Sequence, residues 1–439
     1  MPTEGVSQLA NLSGSMTDGL VIVLCHGDFM KKIAVIGAGV TGVTTAYKLL
    51  NNGYNVTVFE KERYPGMDTS FANGGQLSAS NAEVWTSKKT VIQGIKWMLK
   101  KDAPLLLNPK PSFHKLGWVI EFLSNIRHHK KNTIATAEMA IQSRKELNKI
   151  IDKENLKIDL VKKGILHLCN SKEGFQHGLK VNNWLNEAGL DRYPITLKEI
   201  NKIEPTINLD NIYAGFYTKS DMTGDIHLFT KQLAYVCKNK GVAFNFESYV
   251  TDIKHLNGKI KIFYKQNSEI KEESFSGLVV CAGVNSKQLA NIVGDKINIY
   301  PVKGYSITVI LNDKKSQDSA PTVSLLDDGA KIVTSRLGRN RFRIAGTAEF
   351  NGYNRDIRND RIFPLIKWCN NLFPNVSTEH CIPWAGLRPM TPSMMPKVGK
   401  GKLPGIFYNT GHGHLGWTLG AITSQIISDE ILRNNNLLN

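Results

Sequence analysis

The chain has 439 residues, 41% apolar and 21% charged, which is long enough for two or three domains with a hydrophobic core. This mixture of aliphatic, aromatic and glycine residues excludes a wholly disordered, collagenous or coiled-coil protein. The formal net charge of +17 favours an anionic partner (nucleic acid, an acidic membrane surface or a small acid), although scattered lysines are equally typical of a solvated surface.

Two further compositional features restrict the function. No arginine-rich tract interleaved with aromatic residues occurs, so a nucleic-acid partner is not expected. The six cysteines are dispersed without a CxxC pair, which indicates neither a disulfide scaffold nor a zinc site and favours a reducing compartment.

Residues 1–29 contain no lysine or arginine and only one short apolar run, Leu20 to Cys25. This is too little for a signal peptide or a membrane span. Met30, followed by two lysines, is therefore predicted to be the functional start, and residues 1–29 are predicted to form a disordered extension. Because no segment reaches spanning length, we expect a cytoplasmic protein whose membrane association is peripheral, on the inner face of the membrane.

A nucleotide-binding pattern begins at the first predicted strand. The apolar residues 33–36 lead directly into the GAGVTG sequence of residues 37–42, and helical periodicity follows as far as Gly53. A second strand over residues 55–59 ends at Glu60. A GxGxxG between strand and helix, followed by an acid at the end of the next strand, is the Rossmann fingerprint in its full context.

Each residue of this fingerprint has a physical role. Gly37 permits the tight turn, Gly39 lets the backbone approach a pyrophosphate, and Gly42 lets helix and strand pack closely. The helix N-terminus attracts phosphate, and Glu60 accepts hydrogen bonds from ribose hydroxyls while repelling a 2′-phosphate. NADP is therefore disfavoured, whereas the fingerprint alone leaves FAD and NAD open.

The next loop, SFANGGQLS over residues 70–78, is small enough to approach a flat ring, although an ordinary surface loop is the simpler interpretation. Helices are predicted over residues 89–160, including a long polar one from Thr133 to Asp152, followed by strands near 161–170 and 211–220. A helix from Gly224, strands at 241–246, around Asn257-Gly258 and at 278–282, and an antiparallel sheet over 300–350 complete this region. The chain thus leaves the nucleotide domain and returns to it.

The C-terminal segment contains a second strand, glycine turn and helix. The strand at residues 405–410 runs into GHGHLGW at 411–417, which opens a helix extending to about Leu432. In a flavoprotein such a helix N-terminus could face N1 and the C2 carbonyl of the flavin. Two histidines on a glycine turn are interpreted as shaping the backbone, and no metal site is predicted.

Several blocks in this order carry a specific resemblance: VIGAGVTG, SFANGGQLS, IKWMLKKDAPL, GDIHLFTKQLA, YPVKGYSIT, WAGLRPMTP and NTGHGHLGWT. From Met30 to about Leu432 the chain resembles the FAD-dependent D-amino acid dehydrogenases of the small-subunit type, within the D-amino acid oxidase/glycine oxidase superfamily. The resemblance implies noncovalent FAD and oxidative deamination of a D-amino acid to a 2-oxo acid and ammonia by hydride transfer. It also implies that a quinone or another respiratory carrier accepts the electrons.

The resemblance also implies which residues form the site. Arg388 would pair with the substrate carboxylate, and Tyr305 would line the substrate side. The residues expected at the cofactor are Val35, Ile36, Gly37, Ala38, Gly39, Val40, Thr41, Gly42, Glu60, Lys61, Ser70, Asn73, Gly74, Gly75, Gln76, Leu77, Val250, Ala282, Gly283, Gly386, Arg388, Gly411, His412, Gly413, His414, Leu415 and Gly416.

Some positions depart from the family pattern. Ser393 stands where the family usually has Asp, His414 where it has Thr, and Gly74 where it has Ala. These differences put the substrate range in doubt more than the reaction class. The relatives with covalent flavin, the sarcosine oxidases, carry a cysteine near the position of Leu387, and no cysteine lies there in this chain.

The expected fold is a mixed α/β architecture, with a Rossmann-like FAD-binding domain and a discontinuous substrate domain built on an antiparallel sheet. The FAD-binding domain is assigned to residues 30–88, 225–294 and 384–434, and the substrate domain to residues 89–224 and 295–383. Two alternative functions remain open at this stage. One is a superfamily oxidase that acts on glycine, sarcosine or proline with oxygen, and the other is a flavoprotein that acts on or binds RNA.

Overall fold

A computed structural model describes residues 31–98 and 104–434. The predicted extension and the predicted start at Met30 lie outside these residues. The strands are β1 Lys32–Ile36, β2 Asn55–Phe59, β3 Gln76–Leu77, β4 Leu105–Leu107, β5 Ile165–Cys169, β6 Arg192–Ile195, β7 Ala214–Thr218, β8 Met222–Thr223, β9 Ala243–Asn245, β10 Tyr249–Leu256, β11 Lys259–Gln266, β12 Glu269–Phe275, β13 Gly277–Val280, β14 Tyr300–Ile310, β15 Ser324–Asp327, β16 Ile332–Leu337, β17 Arg341–Phe350, β18 Cys381–Met390, β19 Lys397–Lys400 and β20 Ile406–Thr410.

The α-helices of the described residues are α1 Val40–Asn51, α2 Lys88–Met98, α3 Phe113–Ser124, α4 His129–Lys153, α5 Lys172–Glu187, α6 Leu197–Ile203, α7 Ile226–Asn239, α8 Ser286–Ile292, α9 Lys314–Ser319, α10 Asn359–Leu372 and α11 Gly416–Arg433. The long polar helix predicted to begin at Thr133 begins four residues earlier, at His129. No helix in the described ranges is both long and apolar enough to cross a membrane.

The first sheet is the predicted nucleotide-binding unit. Its six strands lie in the order β19-β20-β13-β1-β2-β9, and all neighbours are parallel except the edge pair β19 and β20. The apolar run of β1 is buried in the centre, as a strand covered on both faces requires. The order shows that the chain returns to this sheet through β9, β13 and β20 after leaving it at β2.

Two layers cover this sheet. Helices α1, α7 and α11 pack together with α4 on one side, around a core that contains Val43, Phe229, Trp417 and Ile427. On the other side lies the antiparallel sheet β10-β11-β12, whose first turn is the Asn257-Gly258 hairpin predicted from the sequence. Both residues of that turn have positive φ, which explains the Asn-Gly pair.

The second large sheet has nine strands, in the order β18-β14-β17-β16-β15-β5-β7-β6, with β4 beside β17. Most neighbours are antiparallel, as predicted, but β5 and β4 pair in parallel with β15 and β17. Helices α6 and α10 cover one face around a core that includes Ile307 and Phe342.

The division into two domains remains a prediction, and one of its boundaries falls within a strand. Residue 384 was expected to begin the last FAD-binding stretch, but it lies inside β18, which pairs with β14 of the nine-stranded sheet through Met390. The cause is hydrogen bonding: ten consecutive residues of β18 are in register with β14. This strand carries Arg388 on the sheet that faces the nucleotide-binding unit.

Candidate active site

A cavity of about 710 Å³ lies between the two large sheets. On one side it is bordered by the carboxyl ends of β1, β2 and β13 and by the start of α1. On the other side it is bordered by β14, β17 and β18. A crevice at the carboxyl ends of parallel strands is where α/β sheets bind their ligands.

The first glycine turn is shaped to admit a phosphate. Gly37 has a φ of 104°, and a Cβ there would lie 2.6 Å from the carbonyl oxygen of Cys281. A Cβ on Gly42 would overlap the carbonyl of Gly37, so α1 packs directly against the turn. At Gly39 the nearest protein atom to a Cβ is the Ser70 hydroxyl at 3.5 Å, which leaves the backbone open toward the cavity. The Val40 amide donates to the Ser70 hydroxyl at 3.1 Å, and the start of α1 faces the cavity, where a helix N-terminus attracts an anionic ligand.

Glu60 ends β2 at the wall of the same cavity. Its carboxylate accepts hydrogen bonds from the amides of Ala38 at 2.6 Å and Glu62 at 3.0 Å. Burial raises the pKa of Glu60, and these two amides offset part of that effect. The carboxylate is therefore fixed beside the glycine turn, where ribose hydroxyls would be expected.

The second glycine turn brings a histidine into the cavity. His414 borders the cavity, and its ring stacks on Trp85 with centroids 4.9 Å apart. Apart from a contact with the Asn81 backbone, its ring nitrogens have no hydrogen-bonding partner among the described residues. Burial and the nearby Arg388 lower the pKa of His414 to about 3, so the ring is neutral.

Arg388 is a partly buried cation without a counter-ion among the described residues. Its Nη1 donates to the Thr347 carbonyl at 2.8 Å, and no carboxylate of the described residues forms an ion pair with it. Burial lowers the pKa of Arg388 to about 10, which leaves it charged at neutral pH. A buried charge of this kind is costly unless a ligand pairs with it. The guanidinium borders the cavity and can form a bidentate pair with a carboxylate.

Tyr305 borders the cavity, and its place on the substrate side stays a prediction. In the regular pairing of β14 with β18, Arg388, Gly304 and Ser306 share one face, and the side chain of Tyr305 lies on the other. Its hydroxyl donates to Glu349 at 2.6 Å within a buried cluster. The hydroxyl proton is therefore engaged within the protein.

The predicted cofactor residues divide into two groups. Those that border the cavity are Ile36, Gly37, Gly39, Val40, Thr41, Glu60, Lys61, Ser70, Asn73, Gly74, Gly75, Gln76, Val250, Ala282, Gly283, Gly386, Arg388, Gly413, His414, Leu415 and Gly416. Those that do not border it are Val35, Ala38, Gly42, Leu77, Gly411 and His412.

Packing explains the second group. Val35, Ala38 and Leu77 belong to the core around α1, while Gly42 packs on the first turn. Gly411 has a φ of 78° and serves the second turn. His412 is buried and bonds to the Thr423 hydroxyl at 2.9 Å, away from the cavity.

Sequence reasoning missed one feature of the Arg388 environment, the backbone at Thr347. This residue has a φ of 58° at a bulge in β17, and its carbonyl holds the guanidinium. Its buried hydroxyl lies at the cavity wall and has no partner in the described part of the chain. Strained backbone at such a place is typical of functional sites. No signal in the sequence marks this bulge, because it depends on the register between β14 and β17.

A second missed group is a polar extension of the cavity lined by His167, Arg192, Asp328 and Lys331. His167 contacts the Ser80 hydroxyl at 2.7 Å, and burial lowers its pKa. Burial would raise the pKa of Asp328, but Lys331 and His167 outweigh it and hold that pKa far below its usual range. These residues come from separate strands and loops and show no common sequence pattern.

Comparison with known proteins agrees with this geometry. The family model described as FAD dependent oxidoreductase (DAO) matches residues 32–430. The chain belongs to this family. It is 56% identical over 399 residues to D-amino acid dehydrogenase 3 of Mesorhizobium japonicum, covering 91% of this chain and 96% of that protein. It is 37% identical to the D-amino acid dehydrogenase of Dechloromonas aromatica, covering 91% and 96%.

Solved structures confirm the fold. Glycine oxidase from Geobacillus kaustophilus superposes with a TM-score of 0.72 at 19% identity, covering 92% of this chain and 95% of that one. L-proline dehydrogenase from P. horikoshii gives a TM-score of 0.71 at 16% identity, covering 92% and 94%. The predicted mixed α/β class is confirmed.

The protein is an FAD-dependent oxidoreductase, and its cavity fits that cofactor. The open backbone at Gly39 and the start of α1 would hold the pyrophosphate, and Glu60 would hold the adenosine ribose. The second glycine turn, at the N-terminus of the 18-residue helix α11, would face the flavin ring. The two cavity-lining thiols, Cys169 and Cys281, have pKa values raised by burial to about 12, so both are protonated.

Proposed function

We propose that this enzyme oxidatively deaminates D-amino acids to 2-oxo acids and ammonia and passes the electrons to a quinone or another respiratory acceptor. Noncovalent FAD would be the resident cofactor. The two most similar relatives cited above are both D-amino acid dehydrogenases, and this supports the substrate class.

The observation that carries the proposal is the partly buried guanidinium of Arg388 at the cavity wall, which no carboxylate of the described residues pairs with. A substrate carboxylate would supply the missing counter-ion in a fork geometry that fixes the orientation of the α-carbon. Bound FAD supplies the chemistry by accepting the hydride from that carbon. The protein then needs no nucleophile, and its protonated cavity thiols agree with this.

Neutral His414 would complete the orientation of the substrate. A neutral imidazole offers one donor and one acceptor, and apart from the contact with the Asn81 backbone no described residue bonds to them. We expect it to contact the carboxylate or the amine of an amino acid held by Arg388. The imino acid product hydrolyses with water to the 2-oxo acid and ammonia.

The competing proposal is an amine oxidase that acts on glycine, sarcosine or proline with oxygen. Glycine oxidase and L-proline dehydrogenase share this fold, which is why this alternative is considered. At below 20% identity, however, a shared fold does not indicate which substrate an enzyme uses. The higher identity to the dehydrogenases favours the first proposal.

One experiment separates these functions. The purified flavoprotein is mixed anaerobically with a panel of D- and L-amino acids, glycine, sarcosine and proline, and bleaching of the visible flavin absorbance is followed. We expect bleaching by D-amino acids and slow peroxide formation when oxygen is admitted. Bleaching by L-amino acids alone would contradict the proposed substrate, and rapid peroxide formation would contradict the proposed acceptor.

A further inference from the structure

Helix α3 carries an apolar stripe on its outer face. Phe113 is 96% exposed, Leu116 58%, Ile120 60% and Leu123 42%. Their spacing of three, four and three residues places them on one side of the helix. Single exposed apolar residues are ordinary, but an aligned set on one helix indicates a binding surface.

The opposite face of α3 already has a structural role. Trp118 is buried, stacks on Phe122, and donates from its indole nitrogen to the Met390 carbonyl at 2.8 Å. It also packs edge-on against Phe350. The inner face of α3 thus anchors the helix to the rest of the protein. Core packing does not explain why the outer face of α3 is apolar.

The sequence around α3 is strongly basic. Residues 88–131 contain ten lysines and arginines but only two acids, so a tenth of the chain carries nearly half of the net charge of +17. Lys96 and Lys110 are exposed in this region. Apolar side chains beside a cluster of cations are the combination that binds the interface of an anionic membrane.

The same segment also forms part of the cavity wall. Lys89 and Trp97 of α2 and Leu105 of β4 line the cavity, and Lys89 is exposed. The chain passes from this wall to α3 within a few residues. A membrane that contacts α3 would therefore lie near the opening of the flavin cavity.

We infer that the outer face of α3, with the surrounding lysines, docks on the surface of an anionic phospholipid bilayer. Phe113, Leu116 and Ile120 would enter the headgroup region, while Lys96 and Lys110 would contact lipid phosphates. This surface rests on the proposed function in that it would bring the enzyme to a membrane-borne acceptor, but it can be tested without reference to the reaction.

The test compares binding to vesicles of pure phosphatidylcholine with binding to vesicles of equal parts phosphatidylcholine and phosphatidylglycerol, by co-sedimentation. The variant F113S/L116S/I120S should bind the anionic vesicles about a hundredfold more weakly than wild type. The matched control F363S/L256S/I270S replaces the same residue types at other exposed positions and should bind like wild type. Lys96→Glu with Lys110→Glu should weaken binding at low salt, whereas Lys198→Glu with Lys202→Glu on α6 should not.

Turnover of a D-amino acid with a soluble dye as acceptor is measured for every variant. Normal turnover shows that the fold and the proposed reaction are intact, so failure of docking is separable from failure of the function. The inference is overturned if wild type does not bind anionic vesicles, or if the α3 variant binds as tightly as its control. It is also overturned if wild type forms a dimer that the α3 variant abolishes, because a second copy would then cover the stripe.

Discussion

Gly304 lies directly beneath the guanidinium of Arg388, and a Cβ at position 304 would overlap the Cζ and both Nη atoms. The two residues come from neighbouring strands, β14 and β18, and share the face that borders the cavity. The absence of a side chain at one position therefore determines where the charge at the other can lie.

Gly304→Ala should displace Arg388 without unfolding the protein, since the end of a flexible side chain can move. We expect kcat/KM for a D-amino acid to fall by about 10- to 100-fold, because small misplacements of a binding group are costly. Steady-state kinetics with a soluble acceptor checks this. Gly117→Ala, where a Cβ meets nothing within 4 Å, is the control. Equal activity of both variants would contradict the proposed role of Gly304.

Arg388→Ala should remove the counter-ion of the substrate carboxylate. Loss of a buried charge-assisted pair costs about 2–5 kcal/mol of transition-state binding, or roughly 30- to several-thousand-fold in kcat/KM. Arg388→Lys should recover only part of this, because an ammonium cannot form the fork. The flavin spectrum should remain normal in both. Wild-type kcat/KM in Arg388→Ala would refute the assignment, and a colourless protein would indicate a structural role.

Glu60→Ala should weaken FAD binding. It removes a carboxylate that fixes the glycine turn through Ala38 and would bind the ribose, and charge-assisted hydrogen bonds contribute about 1.5–3 kcal/mol each. We expect the Kd of the apoprotein for FAD to rise by about 10-fold or more, as measured by quenching of flavin fluorescence. Glu62→Ala, which removes the neighbouring and more exposed carboxylate, should bind FAD like wild type. A similar loss of affinity in both variants would mean that FAD binding depends on the overall negative charge near the site and not on Glu60 itself.

Tyr305→Phe tests what the hydroxyl of that side chain does. The change removes one donor to the buried carboxylate of Glu349, which keeps Asn351 and Lys303 as partners, and should lower the free energy of unfolding by about 1–3 kcal/mol. The KM for the amino acid should not change, because the hydroxyl is bonded to Glu349 within the sheet. Urea denaturation and steady-state kinetics measure the two quantities. A large rise in KM with unchanged stability would show that Tyr305 reaches the substrate.

Glu83 should contribute stability that is lost in acid. Burial would raise its pKa, but His129 and His177 outweigh burial and lower it to about 2. A carboxyl with a depressed pKa stabilises the fold above its unfolded pKa of about 4.3 and loses that contribution as pH falls toward 2.

The corresponding variant is Glu83→Gln. Its deficit in unfolding free energy against wild type should be about 3 kcal/mol at pH 6 and should disappear near pH 2. Glu269→Gln, on an exposed strand position, should show no such pH-dependent difference. A deficit that persists at pH 2 would mean that Glu83 acts through packing and not through its charge.

The nucleotide-binding half of the site could be predicted from the sequence because its residues lie close together along the chain. Gly37, Gly39 and Gly42 follow one strand and open one helix, and Glu60 ends the next strand, so a short stretch fixes their geometry. The Asn257-Gly258 hairpin was predictable for the same reason. Where the backbone at one position excludes a side chain, that position must be a glycine, and the sequence shows this directly.

The substrate half was decided by tertiary structure. The face on which Tyr305 lies depends on the pairing of β14 with β18, and a side-chain period of two means that one position reverses the assignment. The bulge at Thr347 depends on the register between β14 and β17. The close approach of the Arg388 guanidinium to Gly304 depends in the same way on the pairing of β14 with β18. The sequence alone therefore indicated a dinucleotide cofactor, and its resemblance to a family made Arg388 the candidate carboxylate ligand, whereas the strand register decided what surrounds that arginine.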